Sequence, residues 1–281
     1  MAAGSPLAVC MIAVISVGCL GFQLSPPKSV QELTQALLEK DNVDLEKRNA
    51  AAKALDKIGG EGGDEAKLAL AQALLELVHL EPLSNSARMH GANTLGNIGR
   101  KHPEVAELFL SEALKTDSDF DVRVAAATAL GKIFRNDTPR PYSKRATKAL
   151  AEALRTDKDE RVREAAATAL GNIGGYGAME ALAKALRTDK NERVRAAAAP
   201  ALGNICGYDD GISANEAMEA LAKALEEDPS LDVRMNAVHA FGAFTEKIKF
   251  AVKALEKARE HDEDDVVRDE AESALLRLRR E

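Results

Sequence analysis

The sequence predicts an all-α fold, an α-solenoid of about seven two-helix units laid side by side. Three observations predict it. First, "ERVREAAATALGNIGG" (Glu160 to Gly175) returns as "ERVRAAAAPALGNICG" (Glu192 to Gly207), 32 residues further on. Second, the pattern indexed by Arg163 also occurs at Arg48, Arg88, Arg123, Arg195, Arg234 and Arg268, with spacings of 40, 35, 40, 32, 39 and 34 residues. Periods of this size are those of stacked helical hairpins. Third, Ala and Leu recur at i, i+3, i+4 and i+7, the signature of one helix face, and no stretch sustains the alternation of a strand.

The elements follow in chain order. Residues 1–22 form an apolar leader; Pro6 to Phe22 contain no charged side chain. Seventeen helical residues would span roughly 25 Å, short for a membrane crossing and suited to the apolar region of an export signal. Ser16 and Gly18 are small residues at the two positions a signal peptidase reads, and "SVGC" also resembles a lipoprotein box with Cys19 as acceptor. No Lys or Arg precedes Lys28, which departs from both patterns. The expectation is export or attachment to a membrane of the cell envelope through residues 1–22, with a cytoplasmic protein carrying an uncleaved apolar helix as the alternative. Residues 23–29, "QLSPPKS", read as a short stiff linker. Residues 30–281 are the repeat array.

Each unit reads as helix A, a turn, helix B and an exit that often contains Gly. The A helices are clearest in "ALAEALRTD" (Ala149 to Asp157), "EALAKALRTD" (Glu180 to Asp189) and "EALAKALEED" (Glu219 to Asp228). Turns such as "RTDKDE" break the apolar period, and their Asp side chains suit the start of the next helix. On helix B, Val162, Ala165, Ala166, Ala169, Leu170 and Ile173 share one face and form the expected core. A small-residue column, Gly96, Gly131, Gly171, Gly203 and Gly242, is expected to let neighbouring B helices approach closely. Gly costs about 1 kcal/mol against Ala in an isolated helix, so its recurrence indicates a packing role. The end copies break the column with Asp56 and Leu276, as terminal units of a stack do. Pro200 lies inside the fifth B helix and predicts a kink there.

Composition narrows the functions. The chain of 281 residues is 46% apolar but only 4% aromatic, with no Trp, so the core is built from aliphatic side chains. The net charge of −7 gives no general attraction to DNA or RNA, and no nucleic-acid partner is expected. Cys10, Cys19 and Cys206 form no CxxC pair and no cluster with His, so neither a zinc site nor a disulfide framework is expected. No P-loop, Rossmann or Ser-His-Asp signature is present.

The pattern D-x-x-V-R-x-x-A-A-x-A-L-G-x-I-G resembles the HEAT-like repeat of the phycobilisome-lyase (PBS lyase) type, from about Lys28 to Glu281. The resemblance implies a right-handed superhelix with A helices on the convex side and B helices on the concave side. It implies a scaffold more than a chemistry. The HEAT-like deoxyhypusine hydroxylases hold di-iron with His-Glu pairs at the starts of B helices. Here those positions read Arg163-Glu164 and Arg268-Asp269 or lack a carboxylate, so neither a metal nor that activity is carried over. The bilin lyases share the repeat, which alone does not specify bilin chemistry.

Three groups of residues are candidate sites. The Arg ladder (Arg48, Arg88, Arg123, Arg163, Arg195, Arg234, Arg268) follows acidic turn residues such as Asp44, Asp121, Asp232 and Asp265. It reads as a structural set of Arg–Asp hydrogen bonds fixing turn to helix, as the resemblance implies, rather than as a free basic track. The concave strip, read from the B-helix periodicity, contains Asn93, Asn97, Thr128, Lys132, Glu164, Thr168, Asn172, Asn204 and His239. Its amides, hydroxyls and low charge suit a protein or peptide groove. A basic patch in the insertion "RNDTPRPYSKRATK" holds Arg135, Arg140, Lys144, Arg145 and Lys148; it reads either as a linker into a solvated helix or as a contact for an anionic partner. The expected function is a non-enzymatic scaffold for a protein or peptide partner, without a cofactor. The alternative is an accessory enzyme of the bilin-lyase or oxidoreductase HEAT-like type.

Overall fold

A computed structural model describes residues 85–100, 103–135, 143–206, 212–242 and 248–278. The leader, the linker and the first unit, with Arg48, lie outside these residues, as does Arg140. Eleven α-helices and no strand occur among the described residues. In chain order they are α1 (Asn85–Ile98), α2 (Pro103–Thr116), α3 (Phe120–Ile133), α4 (Lys144–Thr156), α5 (Glu160–Ile173) and α6 (Tyr176–Thr188). They continue as α7 (Glu192–Cys206), α8 (Ile212–Glu227), α9 (Leu231–Gly242), α10 (Ile248–His261) and α11 (Asp265–Leu278). The odd-numbered helices are the B helices and carry the index arginines. The even-numbered helices are the A helices.

Each A helix packs on the B helix that follows it, each B helix on the next B helix, and each A helix on the next A helix. The result is a two-row all-α solenoid with one continuous core. Leu150 and Leu154 of α4 and Val162, Leu170 and Ile173 of α5 are all buried in it. Burying a side chain of this kind contributes about 1.5–3 kcal/mol, but a single hairpin buries these residues only when neighbours flank it. The apolar face of a B helix is wider than its own periodicity indicates. Ala167 is fully buried, whereas Ala165 is half-buried, because each B helix meets its A partner and B helices on both flanks.

The glycine column sets the spacing of the B row. A Cβ at Gly131 would lie 2.8 Å from both Cα and Cβ of Ala169, and one at Gly171 would lie 2.6 Å from Ala201 Cβ. Gly96 faces Ala129 and Gly203 faces Ala240 in the same way. Nonbonded carbons settle at about 3.5–4.0 Å, so only hydrogen fits. The B helices form the more closely packed row over most of the array.

Helix boundaries follow local capping chemistry. Asp119 accepts from the amides of Asp121 and Val122, and Asp159 accepts from the amide of Arg161. Ser143 caps α4 by accepting from Ala146 N. Glu107, on α2 of the preceding unit, accepts from the same amide at 2.9 Å and from the Ser143 hydroxyl. The α5–α6 exit is made by Gly174 and Gly175, with φ of 75° and 87°, values that side-chain-bearing residues rarely adopt.

Helix α7 runs unbroken through Pro200. Proline supplies no N–H to the carbonyl of Ala196, four residues back. That carbonyl accepts instead from Asn236 Nδ2 of α9, at 3.2 Å. A defect in one helix is thus closed by a side chain of the next.

Candidate functional site

The Arg ladder occupies the edge where each A helix turns into its B helix, and its geometry links neighbouring units as well as closing each turn. Arg123 Nε and Nη2 donate to the two carboxylate oxygens of Asp157, at 2.7 and 2.9 Å. Arg163 binds Asp189 at 2.8 and 3.1 Å, Arg195 binds Asp228 at 2.7 and 2.9 Å, and Arg234 binds Asp262 at 3.1 and 3.2 Å. Arg88 binds Asp117 at 2.9 and 3.1 Å. In every case the aspartate belongs to the turn of the following unit.

The third nitrogen of the fork reaches back into the arginine's own unit. Nη1 donates to the backbone carbonyl six residues earlier: Arg123 to Asp117, Arg163 to Asp157, Arg195 to Asp189, Arg234 to Asp228 and Arg268 to Asp262. The carboxylate is itself held by the amide two residues on, as in Asp159 N to Asp157 Oδ1 at 2.9 Å. The aspartates just before each arginine are therefore not its carboxylate partners. Asp121, Asp232 and Asp265 lie exposed in the first turns of their helices. The true partners stand six residues before the next arginine.

These pairs are largely removed from water; the side chains of Arg163 and Asp189 are 6% and 9% exposed. Hydrogen bonding to the paired aspartate pushes the guanidinium pKa up from its usual value at Arg123, Arg163 and Arg195. Such bidentate, mutually neutralised pairs leave little charge for a ligand.

The strip on the B helices is open. Asn97, Thr128, Lys132, Thr168, Asn204 and His239 are exposed, while Asn93, Glu164 and Asn172 are half-buried. The Thr128 and Thr168 hydroxyls donate to the Val124 and Glu164 carbonyls of their own helices, at 2.9 and 3.2 Å, which presents their methyl groups and oxygen lone pairs outward. His239 Nε2 stands 3.5 Å from Glu270 Oε1, which also takes Arg277 Nη2 at 2.8 Å. Glu270 and Asn236 were not among the sequence candidates; the one signal was a polar side chain, shared by both and by His90, at the position where the other four units carry Ala.

Of the basic patch, Lys144, Arg145 and Lys148 lie exposed on the first two turns of α4, and Arg135 is exposed just after α3. Lys148 also lines a cleft between α4 and α6. Among the described residues, no cluster of three His, Cys, Asp or Glu side chains is arranged to hold a metal ion. No helix among them is long and apolar enough to cross a membrane.

Comparison with known proteins bears on the fold. The family model described as HEAT repeats matches residues 79–171, 107–203 and 179–276. No curated protein matches. Similar solved structures include human deoxyhypusine hydroxylase in complex with glycerol, with 24% identity over 90% of this chain and 97% of that one and a TM-score of 0.41. The CpcE–CpcF complex of phycocyanin lyase from Nostoc is 24% identical, over 91% of this chain and 97% of that one, with a TM-score of 0.45. Cex1p is 16% identical, over 89% of this chain and 53% of its own, with a TM-score of 0.58. Identities this low speak to architecture alone.

Proposed function

The chain belongs to the HEAT-repeat family, and from that premise we propose that it is a non-enzymatic scaffold that binds a protein or peptide partner along its B-helix strip. One observation carries the reading: Asn97, Thr128, Thr168 and Asn204 stand exposed on four successive B helices. Packed helices lie about 8–10 Å apart, close to the span of three residues of extended chain. An amide side chain both donates and accepts, so it complements a peptide group. The strip has few charges, and the nearby arginines are spent on the ladder, so a phosphate backbone finds no track here.

The test is affinity purification with the wild-type chain and with a Thr168→Arg/Asn204→Arg variant, which alters only exposed positions. The expected result is loss of the captured partner with an unchanged helical spectrum and melting temperature. Capture that is unaffected refutes the reading. Pigment carried through purification, or chromophore transfer lost in the variant, would instead favour the accessory-enzyme alternative of bilin-lyase or oxidoreductase type.

We further propose that the leader exports or anchors the protein. Mass spectrometry of the mature N-terminus decides this: cleavage after Gly18, or a lipid on Cys19, supports it, and an intact Met1 favours a cytoplasmic protein.

A further inference from the structure

We propose that the cleft between the A helices α4 and α6, on the A-helix side of the array, is a second docking site that takes an acidic amphipathic helix from a protein partner. The proposal does not depend on the B-helix strip.

The cleft is about 710 Å³, whereas the equivalent cleft between α6 and α8 is about 300 Å³. Its charge is one-sided, in a protein whose net charge is −7. Four lining carboxylates face six cations. Two of those carboxylates, Asp157 and Asp189, are bound in the ladder to Arg123 and Arg163. What remains is Lys148, Arg155, Lys158, Lys184 and Lys190 against Glu152 and Glu180. All seven are exposed. Arg155 stands 3.6 Å from Glu152; the four lysines have no ion pair among the described residues. In the α6–α8 cleft, by contrast, Lys223 is paired with Glu227. The exposed Lys144 and Arg145, one turn above Lys148, extend the cationic side at the mouth of the cleft.

The floor fixes the kind of acidic partner. Half-buried Ala151 and Ala181, with buried Ala185, line the bottom, and Gly177 opens the upper end. Methyl-sized groups let a helix come close, and they offer an apolar seat but no donor for a sugar or phosphate. Glu152 and Glu180 interrupt the cationic walls in the middle of the cleft, which breaks a polyphosphate track while leaving room for spaced carboxylates. Helices α4 and α6 have 13 residues each, so the cleft takes a helix of about 14 residues, roughly 20 Å long. Such a ligand lays small apolar side chains on the alanines and carboxylates against the lysines, and the local field steers it in.

The test uses the full chain and a fluorescein-labelled peptide of about 14 residues, built from Glu, Ala and Leu with the apolar residues on one helical face. Fluorescence anisotropy should show saturable binding that weakens with added salt. Lys148→Glu/Lys184→Glu should lower the affinity at least about tenfold, with the helical spectrum as folding control, and the milder Lys158→Gln/Lys190→Gln should lower it several-fold. Thr168→Arg/Asn204→Arg should leave it unchanged, which separates this site from the B-helix strip. Equal binding by the lysine variants overturns the proposal. So does equal binding of a scrambled peptide without an apolar face, because attraction would then be charge alone. Tighter binding of single-stranded DNA or phosphatidylserine vesicles with the same dependence on Lys148 and Lys184 also overturns it, in favour of a phosphate site.

Discussion

Replacing Gly171 with Ala should loosen one joint of the array, and the structure sets the size of the effect. The new Cβ would stand 2.6 Å from Ala201 Cβ and 2.8 Å from Ala201 Cα. Carbon contacts relax only beyond about 3.5 Å, so α7 would have to retreat by about 1 Å. The obstacle is backbone, which cannot rotate away. Overpacking a tight core costs about 1–3 kcal/mol, and a backbone clash belongs at the upper end. The better helix propensity of Ala returns about 1 kcal/mol, leaving a net loss of about 2 kcal/mol. For a chain of this size that lowers the melting temperature by about 4–8 °C. The assay is thermal and urea denaturation followed by circular dichroism. Gly242 is the internal control: a Cβ there meets Arg277 Nη2 at 3.6 Å and Ala274 Cβ at 3.7 Å, ordinary contacts, so Gly242→Ala should lose nothing. Adding Ala201→Gly to Gly171→Ala should recover part of the loss, since it removes the Cβ contact and leaves the Cα one. If Gly171→Ala equals or exceeds the wild type in stability, or Gly242→Ala is as damaging, the close-approach argument is wrong.

Other consequences can be measured in the same way. Asn236→Ala should cost about 1–3 kcal/mol in the native chain, by leaving the Ala196 carbonyl without its donor. It should cost little in a Pro200→Ala background, where residue 200 supplies the N–H; equal costs in both backgrounds would sink the pairing. Arg163→Ala should strand the buried Asp189 and cost about 3–5 kcal/mol, read as a shift of the urea midpoint; Arg163→Lys should recover little, because an ammonium does not reproduce the two-pronged fork. Hydrogen bonding from the Arg161 guanidinium, with help from its amide, holds the Asp159 carboxyl below the usual carboxylate range. Its folded-state pKa is thus below the unfolded one, so its stabilisation is present above the ordinary carboxylate value and is lost as pH falls through the lower, folded one. Asp159→Asn should therefore fall short of the wild type at neutral pH and approach it in acid, as melting curves against pH would show.

Much of this architecture is legible in the sequence because each unit says the same thing. The glycine column from Gly96 to Gly203, the helix pairs and the core face repeat in register, and repetition separates signal from accident; Gly242, expected in the same column, has ordinary contacts instead. What the sequence hides is the register between units. Arg163 and Asp189 are partners 26 residues apart; the nearer acidic residues looked like better candidates until the turn edge placed them elsewhere. Pro200 announces an orphaned carbonyl, but nothing local names Asn236, 40 residues from Ala196, as its donor. Ala165 and Ala167 exchange the expected order of burial because a B helix is covered on its flanks as well as beneath. The α4–α6 cleft escaped for the same reason: its walls are contributed by separate units, and of its cations outside the ladder only Lys148 belonged to a recognised cluster.

The ladder also gives the molecule a grammar for growth. Every joint among the described residues has a fork on one side and a carboxylate on the other, so a hairpin inserted from turn to turn brings both and heals the seam it opens. A duplication that starts mid-helix brings neither in register. Length is therefore cheap to change in whole units and costly in fractions, and chimeras cut at Asp157 and Asp189 should fold where those cut elsewhere fail.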